Sequence, residues 1–333
     1  MKWFWFCILL VISFGLLALL RNTAVISPLI TATQQALTED ELSIGWVGDM
    51  VPAKDDLFNT TALSGVSILT TRPSLMIGNL EGTFADTARP SKCIYMSTNC
   101  HAFRSGMAFA YELKNAGFDL ISLVNNHSYD YGAEGLSDTE AILDAAGIPY
   151  ISQTHPSTSL TINGKKVGVL GVSFTPPFST ITDYNFITKE IATLRQSNDI
   201  VILIFHGGAE GSDKTAVTGD YEYLGDENRG NVELVAHTAI DAGADIVFGS
   251  GPHVLRKVSY YKNKPIVYSA GNFVGGNGRL TTSGILGVSA LFTVTEHDNE
   301  FTHTVTPIIL SKNGIPSIDG ENRALELLSI LDK

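Results

Sequence analysis

Five apolar runs in this chain each end in a short polar motif, and this pattern constrains the fold more than any other feature. Ser43–Val47 leads into Gly48-Asp49, and Leu75–Ile77 into Gly78-Asn79-Leu80-Glu81. Leu120–Val124 leads into Asn125-Asn126-His127, with Asp130 three residues on. Val201–Phe205 leads into His206-Gly207-Gly208-Ala209-Glu210, and Ile246–Phe248 into Gly249-Ser250-Gly251-Pro252-His253. Buried strands ending in Asp, Glu, Asn or His place those side chains at the carboxyl edge of a sheet, where α/β folds build their sites.

The segments between these runs fit the same architecture. Helical patterning covers Met107–Ala116, Gly135–Ala146, Ile187–Arg195, Val232–Ala242 and Asn322–Leu331. Asn163-Gly164, between Ser159–Ile162 and Lys166–Val172, is a hairpin signal. Beyond Lys264 the pattern is mainly β, over Pro265–Ser269, Gly284–Thr295 and Phe301–Ile309. With 44% hydrophobic residues the chain can bury a sizeable core. One α/β domain over residues 43–333, a layered sandwich of two β-sheets flanked by α-helices, is the simplest arrangement.

Before that domain, Trp3–Leu20 is an uncharged apolar stretch of about eighteen residues, long enough to span a bilayer. Residues 1–21 are expected to be a membrane anchor, with a cleaved signal peptide as the alternative. Residues 22–42 read as a linker. In either case the domain is expected outside the cytoplasm, at the cell membrane or, after cleavage, secreted or periplasmic. The net charge of −12 excludes a nucleic-acid binder, which needs a basic face. A polyanionic substrate would need local positive charge, such as a bound metal ion. Cys93 and Cys100 could form a disulfide in an oxidising compartment. They could also be free thiols or zinc thiolates.

The strand-end residues have the chemistry of a metal site. Asp49 and Glu81 offer hard oxygens, Asn126 an amide oxygen, and His206 and His253 imidazole nitrogens suited to manganese, zinc or iron. Gly48 is expected to let the backbone turn tightly before Asp49. Asn79 and Glu81 flank Leu80 and so point the same way in an extended segment. His127 directly follows Asn126 and could protonate a leaving group. Taken singly, each has an ordinary alternative as a turn Asx, a helix cap or a surface His. His101, His155, His237, His297 and His303 lack the strand-end context and read as structural or exposed.

In order and spacing these motifs resemble the bacterial CapA/PgsA family, poly-γ-glutamate capsule synthesis proteins of the calcineurin-like metallophosphoesterase superfamily. The resemblance spans roughly residues 43–275. It adds Ala-Gly-Ala-Asp-Ile-Val-Phe-Gly at 242–249, Tyr-Ser-Ala-Gly-Asn-Phe at 268–273, and the two cysteines followed by Ala102-Phe103-Arg104. It implies a metallophosphoesterase-like sandwich, tethered to the membrane and working on a capsule polymer. Carried over by position, Asp49, Glu81, Asn126, His206 and His253 are the metal-site candidates, and His127 is the acid or substrate-positioning residue. Asn79, Asp130, Glu210 and Asn272 would hydrogen-bond the ligands or touch substrate.

The sequence departs from the pattern at three places. The superfamily opens with Asp-x-His, whereas Asp49 is followed by Met50 and Val51. The family often has Gly-His-His-Pro-His where this chain has Gly249-Ser250-Gly251-Pro252-His253, and Trp where it has Gly207. Two possible imidazoles are absent, so one-metal and two-metal sites both stay open.

Two functions from different classes follow. The first is a metal-dependent hydrolase or transferase acting on an anionic capsule-type polymer or its precursor. The second is a non-catalytic polymer-binding or scaffold component of a synthesis and export complex with other capsule membrane proteins. An ordinary phosphodiesterase of nucleotides or lipids is a third, within the catalytic branch.

Overall fold

Strand β1 (Leu42–Val51) is buried along its whole length, as expected of a strand covered on both faces. The computed structural model containing it describes residues 41–51, 61–85, 90–93, 101–175, 180–275 and 280–332. In chain order β2 (Leu75–Leu80), β3 (Thr83–Phe84), β4 (Arg104–Ser105), β5 (Leu120–Ser122) and β6 (Tyr150–Ile151) follow. Next come β7 (Ser157–Ile162), β8 (Lys165–Ser173), β9 (Ile200–His206), β10 (Tyr223–Leu224), β11 (Glu227–Asn228) and β12 (Ile246–Ser250). The remaining strands are β13 (Val258–Tyr261), β14 (Lys264–Val267), β15 (Asn272–Gly275), β16 (Val288–His297), β17 (Glu300–Leu310) and β18 (Pro316–Ile318).

Two large sheets result. One has eight strands in the order β18-β17-β16-β1-β2-β5-β6, with β15 pairing parallel to β1; the other runs β13-β14-β12-β9-β8-β7. Three apolar clusters show how they layer. Ile44, Trp46, Ile77, Val169, Ile202 and Phe248, from both sheets, pack together between them. Met76, Leu80 and Ile121 pack outward on the helices Ala108–Asn115 and Gly132–Ala146. Leu170, Leu203 and Val247 pack outward on the helices Tyr184–Arg195 and Val232–Asp241. The result is the expected layered α/β sandwich. Trp46 joins its halves: it stacks on Phe248 at 5.4 Å, and its Nε1 donates to the Gly249 carbonyl at 3.2 Å. Truncating so large a buried ring costs about 3–5 kcal/mol.

Local chemistry sets the element ends. Asn163 and Gly164 turn the β7–β8 hairpin with φ of 49° and 79°, a conformation these two residues reach readily. Asp183 and Asn231 cap their helices by accepting from Phe186 N and Leu234 N. Two expectations need correction. Residues 284–287 form a 3-10 turn, not the start of a strand, because the backbone at Gly284 is left-handed. Gly48 does not turn the chain either, since β1 continues through it to Val51. A Cβ at Gly48 would fall 2.0 Å from the Gly271 carbonyl oxygen, so its role is close approach.

Among the described residues no helix is long and apolar enough to cross a membrane. The expected anchor Trp3–Leu20 and most of the expected linker lie outside the described residues. Cys93 is disulfide-bonded; Cys100 lies outside the described residues.

Candidate metal centre

Strand register places the polar residues side by side. Asp49 sits opposite Asn79 of β2 and Asn272 of β15, with a register shift just before it against β2 and just after it against β15. In the other sheet His206 of β9 faces Ser173 of β8 and Ser250 of β12. The carboxyl ends of the parallel strands therefore meet at one cleft of about 530 Å³.

Asp49 is fully buried behind the lining residue His253. Its Oδ1 accepts from Asn79 Nδ2 at 2.8 Å, and its Oδ2 accepts from Gly251 N at 3.2 Å and lies 3.1 Å from His253 Nδ1. Burial alone would raise the Asp49 carboxyl, but the hydrogen bond and charge of His253 hold it at about 2. His253 is raised well above its ordinary value: burial opposes this, and Glu81, Asp49 and Glu210 overcome it. His253 has a left-handed backbone, φ 59°, which costs a non-glycine residue about 1–3 kcal/mol. Asn272 anchors the ring: its Nδ2 donates to the His253 and Leu286 carbonyls, and its Oδ1 lies 2.8 Å from His253 Nδ1.

Glu81 is the anomaly. It is fully buried, and neither of its oxygens has a hydrogen-bond partner among the described residues. Three imidazoles approach it: His206 Nε2 at 3.5 Å, His253 Nδ1 at 3.8 Å and His127 Nε2 at 3.9 Å. Burial, and then the charge of Asp49, push its carboxyl up to about 8. An uncompensated buried carboxylate is costly, and a cation is what such a group fits. Asp49, Glu81 and His253 offer ligand atoms that all lie within 4.8 Å of one another. A set of carboxylates, imidazole and amide oxygen suits a divalent ion.

His206 is less open. Its Nδ1 lies 2.9 Å from Ser250 Oγ, its Nε2 2.9 Å from Asn126 Oδ1, and burial depresses it to about 3. Ser250, one of the departures from the family pattern, thus occupies one ring nitrogen. Val51, at the third position of the superfamily's opening motif, is buried in the core.

His127 stands on the rim. Its Nδ1 lies 2.7 Å from Asp130 Oδ2, which also accepts from Phe103 N at 2.7 Å, and its ring packs on Phe103 at 4.3 Å. With Nδ1 tied to Asp130, Nε2 is the atom left for the cleft. Burial lowers His127 from its ordinary value against the pull of Asp130. Glu210 Oε2 is 3.5 Å from His253 Nε2 and 3.2 Å from Arg229 Nη1. Burial opposes its ionisation, but the His253 hydrogen bond holds it at about 2.

All ten candidates are therefore brought together, Asp130 from a loop and Asn272 from the start of β15. Sequence reasoning missed others. Asn125, next to Asn126, donates to Asn79 Oδ1 and the Leu80 carbonyl and accepts from His127 N. Lys92 lies 3.1 Å from Asp130 Oδ1 and donates to the Asn126 carbonyl. His101 is exposed as expected, yet it lines the cleft. Arg229 had no motif to reveal it.

With this geometry in place, comparison with known proteins is decisive. The profile described as "Bacterial capsule synthesis protein PGA_cap" matches residues 47–277. The chain belongs to that family. Among relatives of the PGA_cap chain, the capsule biosynthesis protein CapA of Bacillus anthracis is 30% identical over 188 residues, 50% of this chain and 42% of that protein. The PGA biosynthesis protein CapA of Bacillus subtilis (strain 168) is 27% identical over 285 residues, 74% of this chain and 67% of its own length. A 5'-nucleotidase of Diplobatis ommata is 27% identical over 172 residues, 46% of this chain and 27% of that protein. The chain thus matches under half the length of the B. anthracis protein and about two thirds of the B. subtilis one.

Proposed function

We propose that this PGA_cap protein is a membrane-tethered, extracytoplasmic component of capsule-type polymer synthesis, export or processing, with a metal-centred hydrolytic or transfer site. The observation that carries the metal is Glu81, buried beside Asp49 and His253 with neither oxygen hydrogen-bonded among the described residues. Asp49, Glu81 and His253, with Asn126 and His206, would hold manganese, zinc or iron. The ion would supply Lewis-acid polarisation of the group under attack.

The chain's own residues supply the rest. Asp130 orients His127 so that Nε2 can hold or move a proton at the cleft. Phe103 packs on the His127 ring and shields it from water. Lys92 and Arg229 line the cleft but face Asp130 and Glu210, so the positive charge that an anionic polymer or its precursor requires would come from the bound ion. The apolar stretch Trp3–Leu20 supports the tether, and a disulfide-bonded Cys93 supports an oxidising compartment. Other capsule synthesis membrane proteins are the expected partners.

One observation favours the second reading, a non-catalytic polymer-binding or scaffold component. Both ring nitrogens of His206 already face protein partners, Ser250 and Asn126. Elemental analysis of the purified full chain after manganese or zinc loading separates the two. Stoichiometric metal that is lost in Glu81→Gln supports the metal centre. No bound metal in the parent leaves the non-catalytic reading as the one to keep.

A further inference from the structure

The chain leaves β9 at His206 and returns to the cleft through a loop that ends at the helix Val232–Asp241. Near its end this loop carries Arg229, which is 1% exposed. Two backbone bonds fix Arg229 in place: Gly208 N donates to its carbonyl at 2.8 Å, and its own N donates to the Glu222 carbonyl at 2.8 Å. Its guanidinium meets two carboxylates and a ring, and Nη1 donates to Glu227 Oε2 at 3.4 Å as well as facing Glu210. Nη1 lies 3.2 Å from Glu210 Oε2, and Glu210 Oε2 in turn lies 3.5 Å from His253 Nε2. The plane of the same group lies over the Phe174 ring at 4.1 Å, and Phe174 stacks on His206 at 5.7 Å with 26° between the rings. Nη2 also reaches the Gly251 carbonyl at 3.4 Å, on the turn that precedes His253.

We infer that Arg229 is a positioning residue that orients both imidazoles of the site, His253 through Glu210 and His206 through Phe174. The inference rests on reading these imidazoles as site residues, but its test needs no metal. The chemistry explains why arginine stands here. A planar guanidinium can bond a carboxylate along its edge while stacking on an aromatic ring with its face. An ammonium can also pair with a carboxylate over a ring, as Lys264 does with Asp245 and Phe301, but it has no plane to lie flat on the ring and so sets the ring direction less firmly. A carboxylate bonded to the far nitrogen of an imidazole fixes the tautomer and the ring direction. Here Arg229 fixes that carboxylate, and the stack on Phe174 sets the other ring.

The test uses the metal-free full chain labelled with ¹⁵N-histidine, reading ring-nitrogen shifts by NMR, with His206→Gln and His253→Gln assigning the signals. Arg229→Lys should move both ring signals, Glu210→Gln that of His253 alone, and Phe174→Leu that of His206 alone. Arg229→Lys leaving both signals in place overturns the inference. Should Arg229→Lys lose its native circular dichroism, the other two variants decide, and the inference falls if either leaves its own imidazole unmoved. A second arm titrates Mn²⁺ by calorimetry. Arg229→Lys should bind about 10–100-fold more weakly, the range for a residue acting through the ligands. A parent chain that binds no metal would sink the proposed function, while the ring shifts still decide the role of Arg229.

Discussion

Two buried acids at strand ends have opposite surroundings. Asp245, 6% exposed at the amino end of β12, is saturated: Arg195 Nη1 at 2.7 Å, Lys264 Nζ at 2.8 Å and Val201 N at 2.9 Å all donate to it. Glu81, fully buried just past the carboxyl end of β2, has no hydrogen-bond donor to its side chain among the described residues. The first arrangement ties the helix Tyr184–Arg195 to the sheet and serves stability. The second leaves a carboxyl that burial keeps mostly protonated near neutral pH, and a bound cation would favour its ionised form. The two ends of the strands are thus built to different requirements.

Four substitutions would break or sharpen this contrast. The largest effect is expected at the cleft end, on function alone. His127→Ala should lower turnover by about 10²–10⁴-fold, the span of general acid–base help, with metal content and melting temperature nearly unchanged. Loss of metal in that variant would place His127 among the ligands. Full capsule function in cells would favour the non-catalytic reading.

At the opposite end the effect should be on stability alone. Asp245→Ala strands two cations and a backbone N–H. It should cost about 3 kcal/mol in denaturant unfolding, the low end for a broken buried pair because Arg195 and Lys264 are partly exposed. Manganese affinity should not change. A cost near zero would mean that the saturated end is no more structural than the open one.

Glu81→Gln should show the reverse. Manganese affinity should drop by about 100-fold or more, beyond the usual range for a residue behind the ligands, while the metal-free protein is no less stable than the parent. A variant that binds metal normally but unfolds early would make Glu81 a structural acid.

The smallest effect is expected at Glu112, an intermediate case. One of its oxygens accepts from Leu63 N at 2.7 Å, and the other has no partner within hydrogen-bond geometry among the described residues. Burial raises its carboxyl. Because the folded pKa lies above the unfolded one, its stabilising contribution is full below the unfolded value and is lost as pH rises through the folded one. Glu112→Gln, which mimics the protonated form, should therefore gain stability relative to the parent as pH rises from 4 to 7. A constant difference across that range would remove Glu112 from the series.

The sandwich and the helices were legible in the sequence because they rest on local periodicity. The expected helix Val232–Ala242 is observed as Val232–Asp241, and Ile187–Arg195 as Tyr184–Arg195. The Asn163-Gly164 hairpin follows from two residues that tolerate positive φ. Residues 284–287 were misread because a short apolar run has no decisive period. The crossing between β14 and β15 was also hidden. The chain passes there from one sheet to the other; the expected β run stops at Ser269, and Gly271, φ 72°, marks a break, but nothing local shows that it leads into the other sheet.

The sequence by itself determined where acids, amides and imidazoles would gather, because an apolar run that ends in a polar residue carries that residue to a strand end. Tertiary structure decided what each one meets there. Register put Asn79 and Asn272 on either side of Asp49, the loop after β9 returned Arg229 beneath Phe174, and Ser250 took a nitrogen of His206. These contacts join residues far apart in the chain, and such pairings form only when sheets and loops pack together. Whether a buried charge ends up saturated like Asp245 or open like Glu81 is therefore fixed by packing between distant segments, not by the residues beside it.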